Sequence, residues 1–313
     1  MSQCDERRPV AHLNAEPSGA NIIDHAWTEQ RKQELLDSRV RLTQLLVSSI
    51  KASPQPPRVF VGSSATGIYP TTPEPNNIEW SESSPIPTSD EQHAPQPNFA
   101  MQLCRRWEDA YNSLDEPKTA TTSTSSSSSS EVTDSAPPRS ATRLVIVRTP
   151  PVLSSRGGML TQVKLPFQLG LGGTLGSGRQ LFPWIHIDDW TAFVELAIKN
   201  ENVRGTFNLV APEIADNAQF TKALASGTSL ARSLTRPCYT SHSRSIDVPV
   251  TAALWRPSFF FVPSFMIRLA YGERAPLLLE GAHIRSERLA DTGFTFAHPA
   301  IHEAMAHLFT NNA

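Results

Sequence analysis

The 313 residues carry 28 Lys and Arg against 30 Asp and Glu, a formal charge of −2 with no basic run, so the electrostatic footprint of a nucleic-acid binder is missing. No apolar stretch approaches the roughly 18 residues of a membrane helix; Ser258 to Ala270 comes nearest and is broken by Pro263 and Arg268. Cys4, Cys104 and Cys238 are far apart, match no metal-ligand spacing and leave one thiol over in any disulfide scheme, which fits a reducing compartment.

Residues 9–16 (PVAHLNAE) read as the tail of a strand entering a turn. From Trp27 to Ile50, apolar residues at Leu35, Leu36, Val40, Leu42, Leu45, Leu46, Val47 and Ile50 keep close to a 3.6-residue period, which predicts a long amphipathic helix. Pro54, Pro56 and Pro57 end it, and Arg58 to Val61 is a short buried strand bounded by Gly62. Strand, helix and strand make a βαβ unit, so a parallel sheet is expected. The strand hands over to GSSATGIY (62–69), either an ordinary Ser/Thr turn or hydroxyls set at the ligand edge of such a sheet. Pro70 to Pro97, with seven prolines, is a surface loop or insertion, and Asn98 to Ser113 resumes helical periodicity through Phe99, Leu103, Trp107 and Tyr111.

Leu114 to Thr142 is Ser, Thr, Pro and Asp with almost nothing to bury, and is expected to be disordered. Arg143 to Arg148 (RLVIVR) is a continuous apolar run of the kind found inside parallel sheets. Pro150 and Pro151 turn the chain toward Gly157 and Gly158, and Met159 to Leu169 forms a short helix. In Leu165 to Asp189 (LPFQLGLGGTLGSGRQLFPWIHIDD), Gly170, Gly172, Gly173, Gly176 and Gly178 build a loop that is either a tight crossing or a ligand lip. It misses G-x-G-x-x-G because position 175 is Leu, and it follows a helix where the fingerprint must follow a strand. Phe182 to Ile187 is a predicted strand, with Asp188 and Asp189 expected to cap a helix over Trp190 to Lys199. His186 is read as a packed or hydrogen-bonded histidine. No metal site is predicted, because none of the nine histidines stands at helical or hairpin spacing from it. Gly205 to Val210 is a further strand, Asn217 to Leu224 a helix capped by Asp216 or Asn217, and Ser226 to Pro257 a polar insertion; Pro263 to Ala306 holds two or three short helices.

The phrases WTEQRKQELLDSRVRLTQLLVSSI, GSSATGIY, NFAMQLCRRWE, RLVIVRTPPVL, the 165–189 block and LLLEGAHIRSERLADTGFTFAHP together give a pattern that resembles the epimerase family proteins of the atypical extended short-chain dehydrogenases/reductases, family 39U type, also labelled nucleoside-diphosphate-sugar epimerases. The resemblance implies an α/β fold: an incomplete NAD(P)-binding Rossmann-like parallel sheet over 1–113 and 143–225, with a substrate-side loop 150–182. Insertions at 114–142 and 226–257 and a small, mainly helical C-terminal domain of unknown function over 258–313 complete the division. It further implies Ser64 as the serine that polarises a substrate carbonyl. Leu13, Asn14, Ala15, Ser63 and Arg148 fall on the cofactor side, and Gly158, Met159, Gly172, Gly173, Trp184 and His186 on the substrate side. The implied cofactor is NAD or NADP and the implied partner a small molecule, with a nucleotide-linked sugar among the choices; nucleic acid and membrane are not.

Two departures from that family stand out. Phe99 and Leu103 occupy the places of the catalytic tyrosine and lysine, and since Tyr69, Tyr111, Tyr239 and Tyr271 are followed four residues on by Pro73, Asp115, Ser243 and Ala275, Tyr-x-x-x-Lys occurs nowhere. Tyr69 becomes the first choice for proton transfer; the alternative is a non-catalytic nucleotide- or partner-binding member. The chain also opens about where the family's fourth strand falls, so a truncated product or an incomplete gene model is expected. The opening MSQCDERRPV lacks a signal-peptide core, which favours the cytoplasm, with mitochondria kept open on the same ground.

Overall fold

The computed structural model describes residues 11–12, 20–76, 78–87, 98–115, 142–168, 172–234 and 260–310. Leu13, Asn14, Ala15 and Gly170 lie outside them, as do nearly all of the 114–142 insertion and the stretch 235–257.

After β1 (Ala11–His12), the Thr28 hydroxyl accepts the Arg31 amide and starts α1 (Glu29–Leu36), which passes through a π turn (Asp37–Arg41) into α2 (Leu42–Ala52). The buried residues of this continuous helix are Leu35, Thr43, Val47 and Ile50. The eight-residue step from Leu35 to Thr43 is one more than two α-helical turns, and the wider π turn takes up the difference. Leu42 and Leu45, counted on the apolar stripe from sequence, are 41% and 62% exposed as a result.

Next come β2 (Val59–Ala65), β3 (Glu79–Trp80), α3 (Phe99–Asp115), β4 (Arg143–Thr149), β5 (Val152–Leu153), α4 (Met159–Gln168) and β6 (Gly173–Leu175). The chain continues through β7 (Leu181–Phe182), β8 (Ile185–His186), α5 (Ile187–Lys199), β9 (Gly205–Asn208), β10 (Ala215–Asp216) and α6 (Asn217–Leu234). The C-terminal part holds β11 (Phe260–Val262), α7 (Ser264–Tyr271), α8 (Pro276–Leu279), β12 (His283–Ile284) and α9 (Ile301–Thr310). The main sheet is parallel with order β1-β2-β4-β9, so β1, the long helix and β2 form the expected βαβ unit.

Side chains alternate across the sheet. Val59, Val61, Val145 and Val147 face α5 through Phe193 and Ala197, whereas Phe60, Leu144 and Ile146 face α2 and α3 through Val47, Ile50 and Tyr111. Burial on both faces explains why β2 and β4 read as unbroken apolar runs. A third core joins Trp184 and α6 to Ile301, Met305, Leu308 and Phe309 of α9.

Four local expectations need correcting. β2 does not stop at Gly62 but continues through Ser63, Ser64 and Ala65, so the serines belong to the strand and not to a turn. The strand expected over Phe182 to Ile187 is two: β7 pairs antiparallel with β10 and β8 parallel with β5, with the N–H-less Pro183 between them. The following helix begins at Ile187, three residues before Trp190. The helix from Asn217 runs ten residues beyond Leu224. The cap at Asp216 does form: its carboxylate accepts the Gln219 amide at 2.7 Å and the Gln219 side chain accepts the Asp216 amide at 2.8 Å. The C-terminal part adds strands to its helices, β11 along β6 and β12 along β3.

A Cβ on Gly62 would sit 2.5 Å from Cε1 of the buried Tyr111 ring, while one on Gly157 would meet nothing within 4 Å. Gly62→Ala is therefore expected to cost about 1–3 kcal/mol and Gly157→Ala within about 0.5 kcal/mol, read from urea unfolding midpoints.

Candidate functional site

The alternation that sorts the core also builds the site. Ser64 and Arg148 are direct register partners on β2 and β4, and Arg148 is in turn the partner of Asn208 on β9. Their parity is that of Phe60, Leu144 and Ile146, so all three belong to the face covered by α3. The row lies at the carboxyl ends of parallel strands, where open α/β sheets bind ligands.

α3 supplies the opposing group. Cys104, Glu108 and Tyr111 share one face of it at i, i+4 and i+7. Glu108 Oε1 accepts the Ser64 hydroxyl at 2.6 Å and Arg148 Nε at 2.8 Å; its Oε2 accepts Arg148 Nη2 at 2.8 Å. Arg148 Nη1 donates to the Tyr69 hydroxyl at 2.7 Å, and that hydroxyl lies 2.8 Å from Asn208 Oδ1 and 3.0 Å from the Ser81 carbonyl. Asn208 is held from its other side: its amide donates to Glu82 and its side chain to the Arg285 carbonyl. Ser64, Glu108, Arg148, Tyr69 and Asn208 thus form one hydrogen-bonded chain.

Burial opposes the Arg148 charge, yet Glu108 and Tyr69 outweigh it and hold the guanidinium above its usual range. Burial raises the Tyr69 phenol above its ordinary value, against the lowering influence of Arg148, and the ring is wholly enclosed. Burial, with the nearby Glu108, pushes the Cys104 thiol up to about 12, leaving it a core thiol without nucleophilic character.

Of the residues singled out from sequence, Ser64, Tyr69 and Arg148 meet in this network. Arg148 is paired with Glu108 and donates to Tyr69. Ser63 has the opposite parity to Ser64, and its carbonyl accepts the Tyr111 hydroxyl at 3.0 Å. Trp184 is wholly buried in the α6–α9 core and donates to the Glu213 carbonyl. Met159 packs against that same core. Gly158 adopts a φ of 68°, Gly172 has no room for a Cβ beside Phe167, and Gly173 pairs with β11.

Glu108 is the member of this network that sequence reasoning passed over. The Arg-Arg-Trp-Glu-Asp run on α3 looks like a solvated face, and the signal was its i−4 and i+3 neighbours, Cys104 and Tyr111, on the buried stripe.

The start of α5 also differs from expectation. His186, not a carboxylate, is the cap: its Nδ1 accepts the Asp188 amide at 3.0 Å. Asp189 instead accepts the Ala297 and His298 amides at 2.6 and 3.1 Å. Burial, assisted by His298, lowers His186 to about 4 and keeps the ring neutral. His298 and His307 stand beside it with ring centroids 3.9 and 5.1 Å away, so the histidine partners that local spacing could not supply come from more than a hundred residues downstream.

Removing one member of the buried pair leaves an uncompensated charge. Glu108→Ala is expected to cost about 3 kcal/mol, and Glu108→Leu combined with Arg148→Met clearly less. Urea unfolding of the three proteins checks this; a double variant as unstable as the single would contradict it.

Residues 9–209 match the NAD dependent epimerase/dehydratase family and residues 262–308 match a domain of unknown function, DUF1731. The mouse epimerase family protein SDR39U1 is 31% identical over 301 residues, covering 95% of this chain and 82% of the mouse protein. The crystal structure of human epimerase family protein SDR39U1 (isoform 2) with NADPH superposes with a TM-score of 0.70 at 29% identity, over 94% of this chain and 80% of the human one. A nucleoside-diphosphate sugar epimerase from Corynebacterium glutamicum shares the fold, with a TM-score of 0.57 at 22% identity over 92% of this chain and 45% of that one. With its Rossmann-like parallel sheet and its two family matches, the chain belongs to the NAD dependent epimerase/dehydratase family.

Proposed function

We propose that this chain binds NADP(H) at the carboxyl edge of its parallel sheet and oxidises, reduces or epimerises a small hydroxyl- or carbonyl-bearing molecule there, a nucleotide-linked sugar being one class that fits. The observation that carries this is the convergence of Ser64, Glu108 and Arg148 at the strand ends. We further propose that residues 1–113 and 143–225 form the nucleotide-binding part and 258–313 the part that closes the substrate side, in a protein of the cytoplasm. Among the described residues no helix is long and apolar enough to cross a membrane.

The donor set at this edge fits one half of the cofactor. Arg148 is neutralised by Glu108, so the edge is a hydrogen-bonding floor whose arginine is already paired, suited to a nicotinamide ring, which never carries negative charge, and not to a pyrophosphate. NADP(H), when bound, would accept the hydride in oxidation and supply it in reduction. The protein's task is the proton. The Ser64 hydrogen is already committed to Glu108, so Oγ faces a substrate hydroxyl as an acceptor. A proton leaving that hydroxyl passes to Ser64 Oγ as Ser64 gives its own to Glu108, and the reverse sequence returns it to a carbonyl oxygen. Arg148 balances the Glu108 carboxylate before the transfer and carries the local positive charge while Glu108 holds the proton. Tyr69, enclosed and held by Arg148 and Asn208, is a positioning residue; the Ser64–Glu108 pair takes the place of the missing Tyr-x-x-x-Lys.

Isothermal titration with NADPH and turnover of a panel of carbonyl substrates test this. Ser64→Ala is expected to lower kcat/KM about 10²–10³-fold with NADPH affinity unchanged. Full activity in Ser64→Ala would sink the proton route. NADPH binding without turnover of any substrate would favour the second reading, a non-catalytic nucleotide binder, which the absence of Tyr-x-x-x-Lys supports.

A further inference from the structure

Three imidazoles and one carboxylate from remote parts of the chain meet where α5 touches the C-terminal segment. His186 and Asp188 stand at the start of α5, His298 lies just before α9, and His307 is on α9. One donor atom from each falls within 4.8 Å of every other. His298 Nε2 is 3.6 Å and His307 Nδ1 3.9 Å from Asp188 Oδ2, and His307 Nδ1 is 3.3 Å from His186 Nε2. A tetrahedral metal with bonds of about 2.0–2.2 Å spaces its ligands about 3.3–3.6 Å apart. The two histidine–carboxylate separations therefore stand within a few tenths of an ångström of metal spacing, and two imidazoles with one carboxylate suit borderline divalent cations such as zinc.

The four groups are not equivalent. Because the Asp188 amide donates to His186 Nδ1, the neutral His186 ring carries its proton on Nε2 and has no lone pair for a metal. Its 3.3 Å contact with His307 is long for a hydrogen bond, so little is lost when His307 Nδ1 takes another partner. The side chains of Asp188 and His307 are 58% and 35% exposed and free to turn, which lets the rings leave their present stacking and aim at a common point.

We propose that Asp188 Oδ2, His298 Nε2 and His307 Nδ1 bind a divalent transition metal of the zinc class, with a water in the fourth position facing the Nε2–H of His186. The ion would fasten α9 and the segment before it to α5, beside the two backbone bonds that Asp189 already makes there. This site is independent of the Ser64 network and of any activity assigned to it.

The test is titration of the whole chain with cobalt(II), followed by its visible d–d absorption, and with zinc(II) by calorimetry and thermal melting. One saturable site with a tetrahedral cobalt spectrum is expected, and zinc should raise the Tm. His307→Gln and Asp188→Asn should each weaken binding about tenfold or more, while His302→Gln, on the exposed side of α9, should not. Both substituted side chains are partly exposed, and circular dichroism verifies that each variant is folded. No saturable binding, or an affinity unchanged in both variants, would overturn the proposal.

Discussion

The pairing of Arg148 with Glu108 is the interaction on which the rest of the site depends. Two charges at 8% and 14% side-chain exposure have been taken largely out of water, and that is tolerated because they pair through two hydrogen bonds and each has a further partner, Ser64 for Glu108 and Tyr69 for Arg148. Glu108 takes Arg148 through two bonds and Ser64 through a third; Arg148 gives one further bond to Tyr69. The pair therefore fixes how α3 sits on the sheet and leaves Ser64 Oγ its acceptor lone pairs. An apolar pair could hold α3 in place equally well, but would take from Ser64 its Glu108 acceptor and from Tyr69 its Arg148 donor.

The C-terminal part is tied to the sheet at the far end of the same row. β12 pairs with β3, Arg285 accepts from Asn208, and Arg288 donates to the carbonyls of Arg204 and Thr206 while its guanidinium lies 4.6 Å over the Phe207 ring. Glu213 accepts the Ile301 amide and anchors the start of α9. The stretch 283–288 thus braces β9 and the Asn208 end of the network, linking the region that matches the epimerase family to the region that matches DUF1731.

Much of this was legible in the chain. RVFV and RLVIVR announced buried parallel strands because both their faces are covered, and the Trp27 to Ile50 period announced the covering helix. Ser64 and Arg148 could be named from the family pattern, and Tyr69 from the absence of its tyrosine and lysine. Glu108 could not, because a single acidic residue in a charged run looks solvated until the sheet it faces is known. The π turn was hidden because its extra residue shifts the stripe without breaking it. The histidine group escaped because local spacing sees only one chain segment, whereas His186, His298 and His307 are brought together by the packing of α9 and the Asp189 bonds. The Gly62 boundary was misplaced for a related reason: glycine there makes room for Tyr111 inside a strand and does not end one.

The central claim is that Ser64, held by Glu108 and Arg148, is the group a reacting molecule meets. The most direct measurement is a crystal structure of the protein with NADPH. The account predicts a nicotinamide ring in contact with Ser64 at the end of β2, and the Ser64–Glu108–Arg148 bonds intact. A dinucleotide seated elsewhere, or Glu108 turned to solvent with Arg148 unpaired, would contradict it.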